Sequence, residues 1–335
     1  MINWKILLFF FSATLMGSVL AADVPAASFY QGKNMTVIVA TKPGGGYDFY
    51  GRLLAGFMKN YLPVKTIIVK NMPGAGHIIG VNKLYASKPD GLTIGLFTRA
   101  LVASQIAGVR GIKFDFGKLS WLGSPAADPR VLVVSKKAPY KDLEELINSK
   151  APINFAATGI GGMDYLEPVV LAKIFKAENW TIATGYGGGE SQLALMRGEI
   201  TAKFASWSSM RSIVQDGEAH PVMFTSEKPI EGYEHVPLLP RLVGEEYKGI
   251  VDLMIFFSKL ARTFAGPPAI PADRLEVLRD AFEKTWQDPE LLKMAEKADR
   301  PIAYTGAGVA EKLVESALRQ PPEVKEMIKR AYGIK

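Results

Sequence analysis

The sequence predicts an α/β protein of two domains, each a mainly parallel sheet flanked by helices. Three observations predict it. Short apolar runs alternate with segments of helical periodicity over residues 35–97, and the alternation resumes over 131–224. Such alternation is the mark of βαβ units and a parallel sheet covered on both faces. A Gly/Pro/Asp-rich stretch, Gly123 to Pro129, separates the two blocks, and a helix-rich tail follows the second. A tail of that length is expected to return to the first block. Residues 23–124 plus 236–335 then form the first domain and 125–235 the second, with hinges expected at Ser124–Asp128 and Thr225–His235.

In the first block, Met35–Thr41 reads as a buried strand, broken by Lys42-Pro43-Gly44-Gly45-Gly46. Asp48 then precedes Leu53, Leu54, Phe57, Met58 and Tyr61 at helical spacing. Thr66–Val69 is the next strand, Asn71–Gly76 a loop, Ile78–Ala86 a helix, Pro89-Asp90-Gly91 a turn and Leu92–Phe97 the third strand. The second block reads as strands at Val131–Val134, Ile153–Ala157, Trp180–Thr184, Ile200–Ala205 and Val222–Phe224. Helices are expected at Leu143–Ile147, from Gly162 through Ile174, and at Gln192–Arg197. Pro168 falls early in its helix, where proline is tolerable only within about the first turn. In the tail, Arg274–Trp286, Glu290–Lys297, Val309–Leu318 and Pro322–Ala331 read as helices around one short strand, Ile302–Tyr304.

The first residues are read as a signal peptide rather than as part of the fold. Lys5 supplies a positive start, Ile6 to Val19 an apolar run, and Ala21 and Ala22 a small-residue cleavage site. The run is short for a membrane span of roughly 20 residues. An exported protein, periplasmic once residues 1–22 are removed, is the expectation. The absence of cysteine excludes disulfides, thiolate metal sites and cysteine nucleophiles. Apolar residues at 48% and charged residues at 22% exclude disorder. The formal charge of +7 is spread without a long basic run or interleaved aromatics, so nucleic acid is not an expected partner. A positive field still favours acidic ligands weakly.

Three loops stand out, each following a strand and opening a helix: Gly44-Gly45-Gly46-Tyr47-Asp48, Gly74-Ala75-Gly76-His77 and Gly187-Gly188-Gly189-Glu190. Glycine permits close approach of backbone to a ligand. The first N–H groups of a helix lack internal partners and carry the positive end of its dipole, which suits an anion. A tight turn needing no ligand is the alternative for each loop. Asp48 and Glu190 read as helix N-terminal acids, repulsive to an anion if they faced it. His77 reads either as a ligand donor or as a surface or capping residue.

Other chemistries fit poorly. No P-loop is present, and Gly159-Ile160-Gly161-Gly162 lacks the spacing of a dinucleotide fingerprint. His77, His220 and His235 are the only histidines, and neither a G-x-S-x-G elbow nor H-E-x-x-H occurs. No catalytic residue, metal site or cofactor is expected.

At the loops the sequence resembles the extracytoplasmic solute receptors of tripartite tricarboxylate transporters, the Bug family. The resemblance rests on Pro43-Gly44-Gly45-Gly46-Tyr47-Asp48, Asn71-Met72-Pro73-Gly74-Ala75-Gly76, Pro89-Asp90-Gly91-Leu92-Thr93-Ile94 and Gly185-Tyr186-Gly187-Gly188-Gly189. It continues through His235-Val236-Pro237 and Ala265-Gly266-Pro267-Pro268 into the tail. It implies a two-domain type II periplasmic binding protein, a clamshell, that closes on a small carboxylate and docks as a monomer with membrane permease subunits. It implies a site built from the first two glycine loops, with Thr98, and from Thr158, Gly159, Tyr186 and Gly188 of the second domain. The alternatives are a clamshell receptor for phosphate or an amino acid, and a periplasmic enzyme acting on a carboxylate.

Two departures bear on the ligand. Tyr47 stands where relatives commonly have small hydroxyl residues, and a phenol there narrows the cleft or stacks on a ring. Ser206 stands near a position where many relatives have an aspartate, and its lack of charge argues against an amino-acid ligand. Trp207 follows, either facing the cleft or filling the core.

Overall fold

A computed structural model describes residues 26–258, 260–300 and 302–334. The expected signal segment lies outside the described residues. In chain order the first elements are α1 (Ala26–Tyr30), β1 (Asn34–Val39), α2 (Gly46–Phe57), β2 (Thr66–Asn71), α3 (Ile78–Tyr85), β3 (Thr93–Phe97), α4 (Leu101–Ala107) and β4 (Ser120–Ser124). Then come β5 (Arg130–Ser135), α5 (Leu143–Ile147), β6 (Ile153–Ala157), α6 (Met163–Ile174), β7 (Trp180–Thr184), α7 (Gly188–Arg197), β8 (Ala202–Ser206), α8 (Trp207–Gln215) and β9 (Ala219–Thr225). The chain ends with α9 (Lys248–Ser258), β10 (Thr263–Gly266), α10 (Ala272–Trp286), α11 (Pro289–Lys297), β11 (Thr305–Gly306), α12 (Ala307–Leu318) and α13 (Pro322–Ala331).

The strands form two sheets, ordered β11-β4-β10-β3-β1-β2 and β7-β6-β8-β5-β9. In the first, β2, β1 and β3 pair in parallel, and β10 lies antiparallel between β3 and β4. In the second, β7, β6 and β8 pair in parallel, and β5 lies antiparallel between β8 and β9. Both sheets are therefore mixed, where the sequence predicts mainly parallel ones. The cause is the crossing between them. The chain leaves β4 at its carboxyl end and enters β5 from the same side, so β5 must run the opposite way. The return into β10 reverses that strand for the same reason.

The two crossings lie side by side, the Asp128 N–H donating to the Ser258 carbonyl at 2.9 Å and the Ala261 N–H to the Ala126 carbonyl at 2.8 Å. The return thus runs through Ser258 and 260–262, downstream of Thr225–His235. After β9 the chain stays on the second sheet, where the Phe224 N–H donates to Pro237 at 2.9 Å and Phe224 bridges Leu238. The short strand of the tail also shifts, to Thr305–Gly306, while the Ala303 N–H preceding it donates to Pro125. Pro168 lies at the sixth position of α6, past the first turn, and the helix continues to Ile174.

Each sheet is covered on both faces, which is why its strands read as continuous apolar runs. In β1, Val37 and Val39 pack with Tyr50 and Leu54 of α2 and with Phe282 and Trp286 of α10. Ile38, alternating with them, joins Ile78 and Leu84 of α3 on the opposite face. In β5, Leu132 and Val134 face Leu166 and Leu171 of α6, and Val131 and Val133 face Leu195 of α7 and Met210 of α8. The strands end rigidly, and their carboxyl-end loops are held in place by that packing.

Helix α2 offers an internal comparison. A Cβ on Gly51, against the sheet, would lie 2.5 Å from Val39 Cγ2, whereas Gly56 has open space. Gly51→Ala should destabilise by about 1–3 kcal/mol through overpacking. Gly56→Ala should stabilise by up to about 1 kcal/mol through helix propensity. Opposite shifts of the urea midpoint check this; a gain from Gly51→Ala would contradict the packing described.

Candidate functional site

Five helix N-termini converge on one cavity between the sheets, about 80 Å³ in volume. Gly46 and Tyr47 open α2, His77 caps α3, Met163 and Asp164 open α6, and Gly188 opens α7. Ser206 caps α8, with Ser209 in its first turn. All eight line the cavity. The unpaired first-turn N–H groups and aligned dipoles of several helices thus present positive potential to one small space. A second cavity of about 350 Å³ adjoins it, sharing Thr41, His77 and Thr158.

The glycine loops meet across the cleft, backbone to backbone. A Cβ on Gly45 would lie 3.4 Å from Gly188 Cα, and one on Gly189 would lie 3.1 Å from the Gly44 carbonyl oxygen. The second seam is tighter. A Cβ on Gly76 would collide with the backbone nitrogens of Gly161 and Gly162, and one on Gly159 would collide with the Gly76 nitrogen. Gly74, Ala75, Gly76 and His77 have φ of 135°, 46°, 60° and 79°. For Ala75 and His77 this left-handed backbone costs roughly 1–2 kcal/mol each. Lys42 and Glu190 pair across the first seam at 2.7 Å, but both are exposed and the pair adds little stability.

Charge is buried beneath these loops. Arg130, 7% exposed, donates to both oxygens of Glu167 at 2.5–3.0 Å. Burial alone would weaken its hold on the proton, but the Glu167 carboxylate outweighs burial and the guanidinium stays charged. Arg262, 3% exposed, pairs with Asp128 at 3.5 Å and stacks 4.8 Å from the Tyr47 ring centre. Arg130 at 3.3 Å and Arg262 at 3.1 Å both donate to the Ser206 hydroxyl. Lys203, 4% exposed, donates to the Ser191 hydroxyl at 2.5 Å. Burial pulls its pKa down to about 8, so it is still protonated at neutral pH. Among the described residues, Thr41 Oγ1 and Arg262 Nε are buried without a hydrogen-bond partner, and both residues line the cavity. Donors in excess of acceptors suit an anion.

The structure brings together most of the residues expected from sequence. Gly45, Gly46, Tyr47, His77, Thr98, Thr158, Gly188 and Ser206 line the smaller cavity. Gly74, Ala75, Gly159 and Tyr186 line the adjoining one. Gly44 and Gly76 lie in the seams and line neither. Asp48 is turned away: its carboxylate accepts from the Gly44 N–H at 3.0 Å, Arg52 Nε at 2.9 Å and Asn71 Nδ2 at 2.9 Å. Burial would raise its pKa, but these three donors together hold it below the usual value. Trp207 packs in the core of the second sheet, edge-on to Phe224 and Tyr233, and not on the cavity. His77 is buried rather than a surface residue, and no cap bond comes from its side chain. Its Nδ1 accepts from the Thr98 N–H at 3.2 Å, leaving Nε2 as the donor nitrogen. Sequence reasoning missed Arg130, Lys203 and Arg262. The signal available was a lysine inside a short strand that otherwise reads as buried.

Burial, followed by the nearby Arg262 charge, lowers the His77 pKa from 6.5 to about 3. The folded state resists a proton that the unfolded state accepts, so stability is complete above pH 6.5 and is lost as pH falls towards 3. At about 1.4 kcal/mol per pH unit the loss reaches at most about 5 kcal/mol. Lys203 acts at the other end: its folded pKa near 8 lies below the ordinary 10.5, so stability rises with pH between them. Urea unfolding of ligand-free protein from pH 4 to 10 should show both limbs. His77→Asn, which tolerates the left-handed backbone, should flatten the acid one. An unchanged acid limb would remove His77 from this role.

The sequence profile described as "Tripartite tricarboxylate transporter family receptor" matches residues 51–330. The chain is 25% identical over 240 residues to the protein BugT of Bordetella pertussis, covering 68% of this chain and 71% of that one. Its fold is similar to the structure of the periplasmic binding protein BugD, with a TM-score of 0.77 at 18% identity over 91% of this chain and 99% of that one. It is also similar to MatC from Rhodopseudomonas palustris with bound malate, with a TM-score of 0.74 at 18% identity over 88% and 99%. The matched profile runs from within α2 through every strand after β1 and nearly all of the tail, and the chain belongs to the tripartite tricarboxylate transporter family of receptors, which are solute-binding proteins and not enzymes.

Proposed function

We propose that this receptor captures a small carboxylate in the periplasm by closing two domains about the side-by-side crossings, and delivers it as a monomer to the membrane permease of a tripartite transporter. The observation that carries the reading is the convergence of five helix N-termini on one small cavity, with buried donors still unpaired. Such a site is complementary to negative charge. The bound malate of MatC is in keeping with a carboxylate. An amino acid is disfavoured by the charges present. Asp128 and Glu167 are paired with arginines, and both oxygens of Asp164 accept from Thr158. Neither Asp128 nor Glu167 is open to an ammonium group.

In this reading the glycine seams have a second task besides binding. Contacts from both domains must form at once for the ligand to shift the population towards the closed form. A side chain in the seam would oppose that shift without touching either core.

Mass spectrometry of the small molecule released from freshly purified protein should identify an acid. A thermal-shift panel should raise the midpoint with carboxylates and not with phosphate or amino acids; the reverse pattern would sink the proposal. Gly45 has ordinary negative φ, so Gly45→Leu adds bulk without backbone strain. It should weaken binding of a carboxylate from that panel by more than roughly 100-fold, which is about 3 kcal/mol, and leave ligand-free stability nearly unchanged. Small-angle scattering should show that the variant no longer compacts on adding that carboxylate. Full affinity in Gly45→Leu would show that the first seam takes no part in closure.

A further inference from the structure

We propose that Lys203 is a specificity-determining residue, holding a second acidic group of the ligand opposite the glycine loops, so that the receptor selects a dianion over a monoanion. The inference rests on the carboxylate-receptor reading and names the ligand more closely. Lys203 lies within β8, the central strand of the second sheet, every residue of which is buried. An ammonium group taken out of water there is costly unless an anion compensates it. The other two cations of the cavity wall are compensated within the chain, Arg130 by Glu167 and Arg262 by Asp128. Lys203 is not. Its hydrogen bond goes to a neutral hydroxyl, and among the described residues no carboxylate oxygen comes within 4.0 Å of its nitrogen. Asp164, the acid whose field it feels most, accepts from the Thr158 N–H and hydroxyl and forms no ion pair with it.

Placement gives the lysine its role. Lys203 reaches the cavity from the second domain, whereas Gly45, Gly46 and His77 line it from the first. A ligand with one carboxylate satisfies the helix N-termini and leaves the ammonium uncompensated. A ligand with a second acidic group satisfies both walls, and the charge then bridges the two domains. Ser206, at the far end of β8, receives two guanidinium N–H groups at its oxygen, so its own hydroxyl proton is available to the same acidic end.

The test compares Lys203→Met with the natural receptor by calorimetric titration. The probes are straight-chain dicarboxylates of three to six carbons, each beside the monocarboxylate of equal length. The natural receptor should bind at least one dicarboxylate about 100-fold more tightly than its monocarboxylate, the scale of a desolvated charge pair. Lys203→Met should lose that preference while holding the monocarboxylate to within about threefold. Methionine fills similar space without charge, so the ligand-free variant should melt at the same temperature or higher, which separates lost recognition from lost folding. Preference retained in Lys203→Met, or no preference in the natural receptor, overturns the role of Lys203 and leaves the carboxylate reading standing. Failure of the natural receptor to bind any member of either series overturns both.

Discussion

The architecture depends on backbone meeting backbone across a cleft. Two seams, Gly45 against Gly188 and Gly76 against the Gly159–Gly162 loop, bring loops of different sheets to distances that exclude even a methyl group in the tighter case. Each loop is also the start or the approach of a helix. The same lack of side chains therefore does two things: it lets the domains touch, and it bares the first-turn N–H groups. The strain at Ala75 and His77 belongs to this arrangement. A left-handed run from Gly74 to His77 turns the backbone so that Gly76 can seat on the opposite loop. Rigid strands packed on both faces hold the loops in register.

Closing such a cleft without a ligand would be unfavourable. In this structure Arg130, Arg262 and Lys203 are buried together, and among the described residues no carboxylate oxygen lies within 4.0 Å of the last. Thr41 Oγ1 and Arg262 Nε are buried and, among the described residues, unpaired, at a cost of roughly 1–3 kcal/mol for each such group. Apolar contact between the loops is slight, because glycines offer little surface. The balance therefore turns on charge and hydrogen bonding inside the cavity. An anion supplies both, and in the proposed cycle that differential interaction is what separates the closed state from the open one. His77 fits the same logic: held neutral by burial and by Arg262, it adds no further positive charge to a site already rich in it.

Much of the fold was legible in the sequence because strands covered on both faces leave unbroken apolar runs. β6 and β7 lie at the bounds read from sequence, and α13 likewise. The reading failed where the signal is weak or ambiguous. β4, Ser-Trp-Leu-Gly-Ser, is wholly buried yet carries polar and small residues, and β10 has only four residues. The apolar segment Ile250–Phe257 forms α9 and carries the chain back towards the crossings, so the return was placed too early. Without β10 the antiparallel insertion, and hence the mixed sheets, could not be foreseen. The site was legible where glycine marks it and illegible where charge does. Loop spacing pointed to Gly45, Gly76 and Gly188, but Arg130, Lys203 and Arg262 come from three separate strands or crossings and converge only in three dimensions. Trp207 shows the reverse error: it follows a cavity residue in sequence, but it starts a helix and its ring turns into the core.

The positions of the two arginines tie recognition to the proposed motion. Arg130 is the first residue after the outward crossing, and Arg262 is the last before β10 on the return. Both crossings are hydrogen-bonded to each other, and both arginines donate to one hydroxyl, that of Ser206. In the proposed cycle a negative group drawn into the cavity acts on charges mounted at the crossings, not at the tips of the domains where leverage is greatest. Few residues need to move for these cations to keep their partners. In the proposed closure the large displacement falls at the glycine seams, which have no side chains to reorganise. Division of labour follows from lever geometry: charge sits where displacement is small and must stay paired, and bare backbone sits where displacement is large and must fit on arrival.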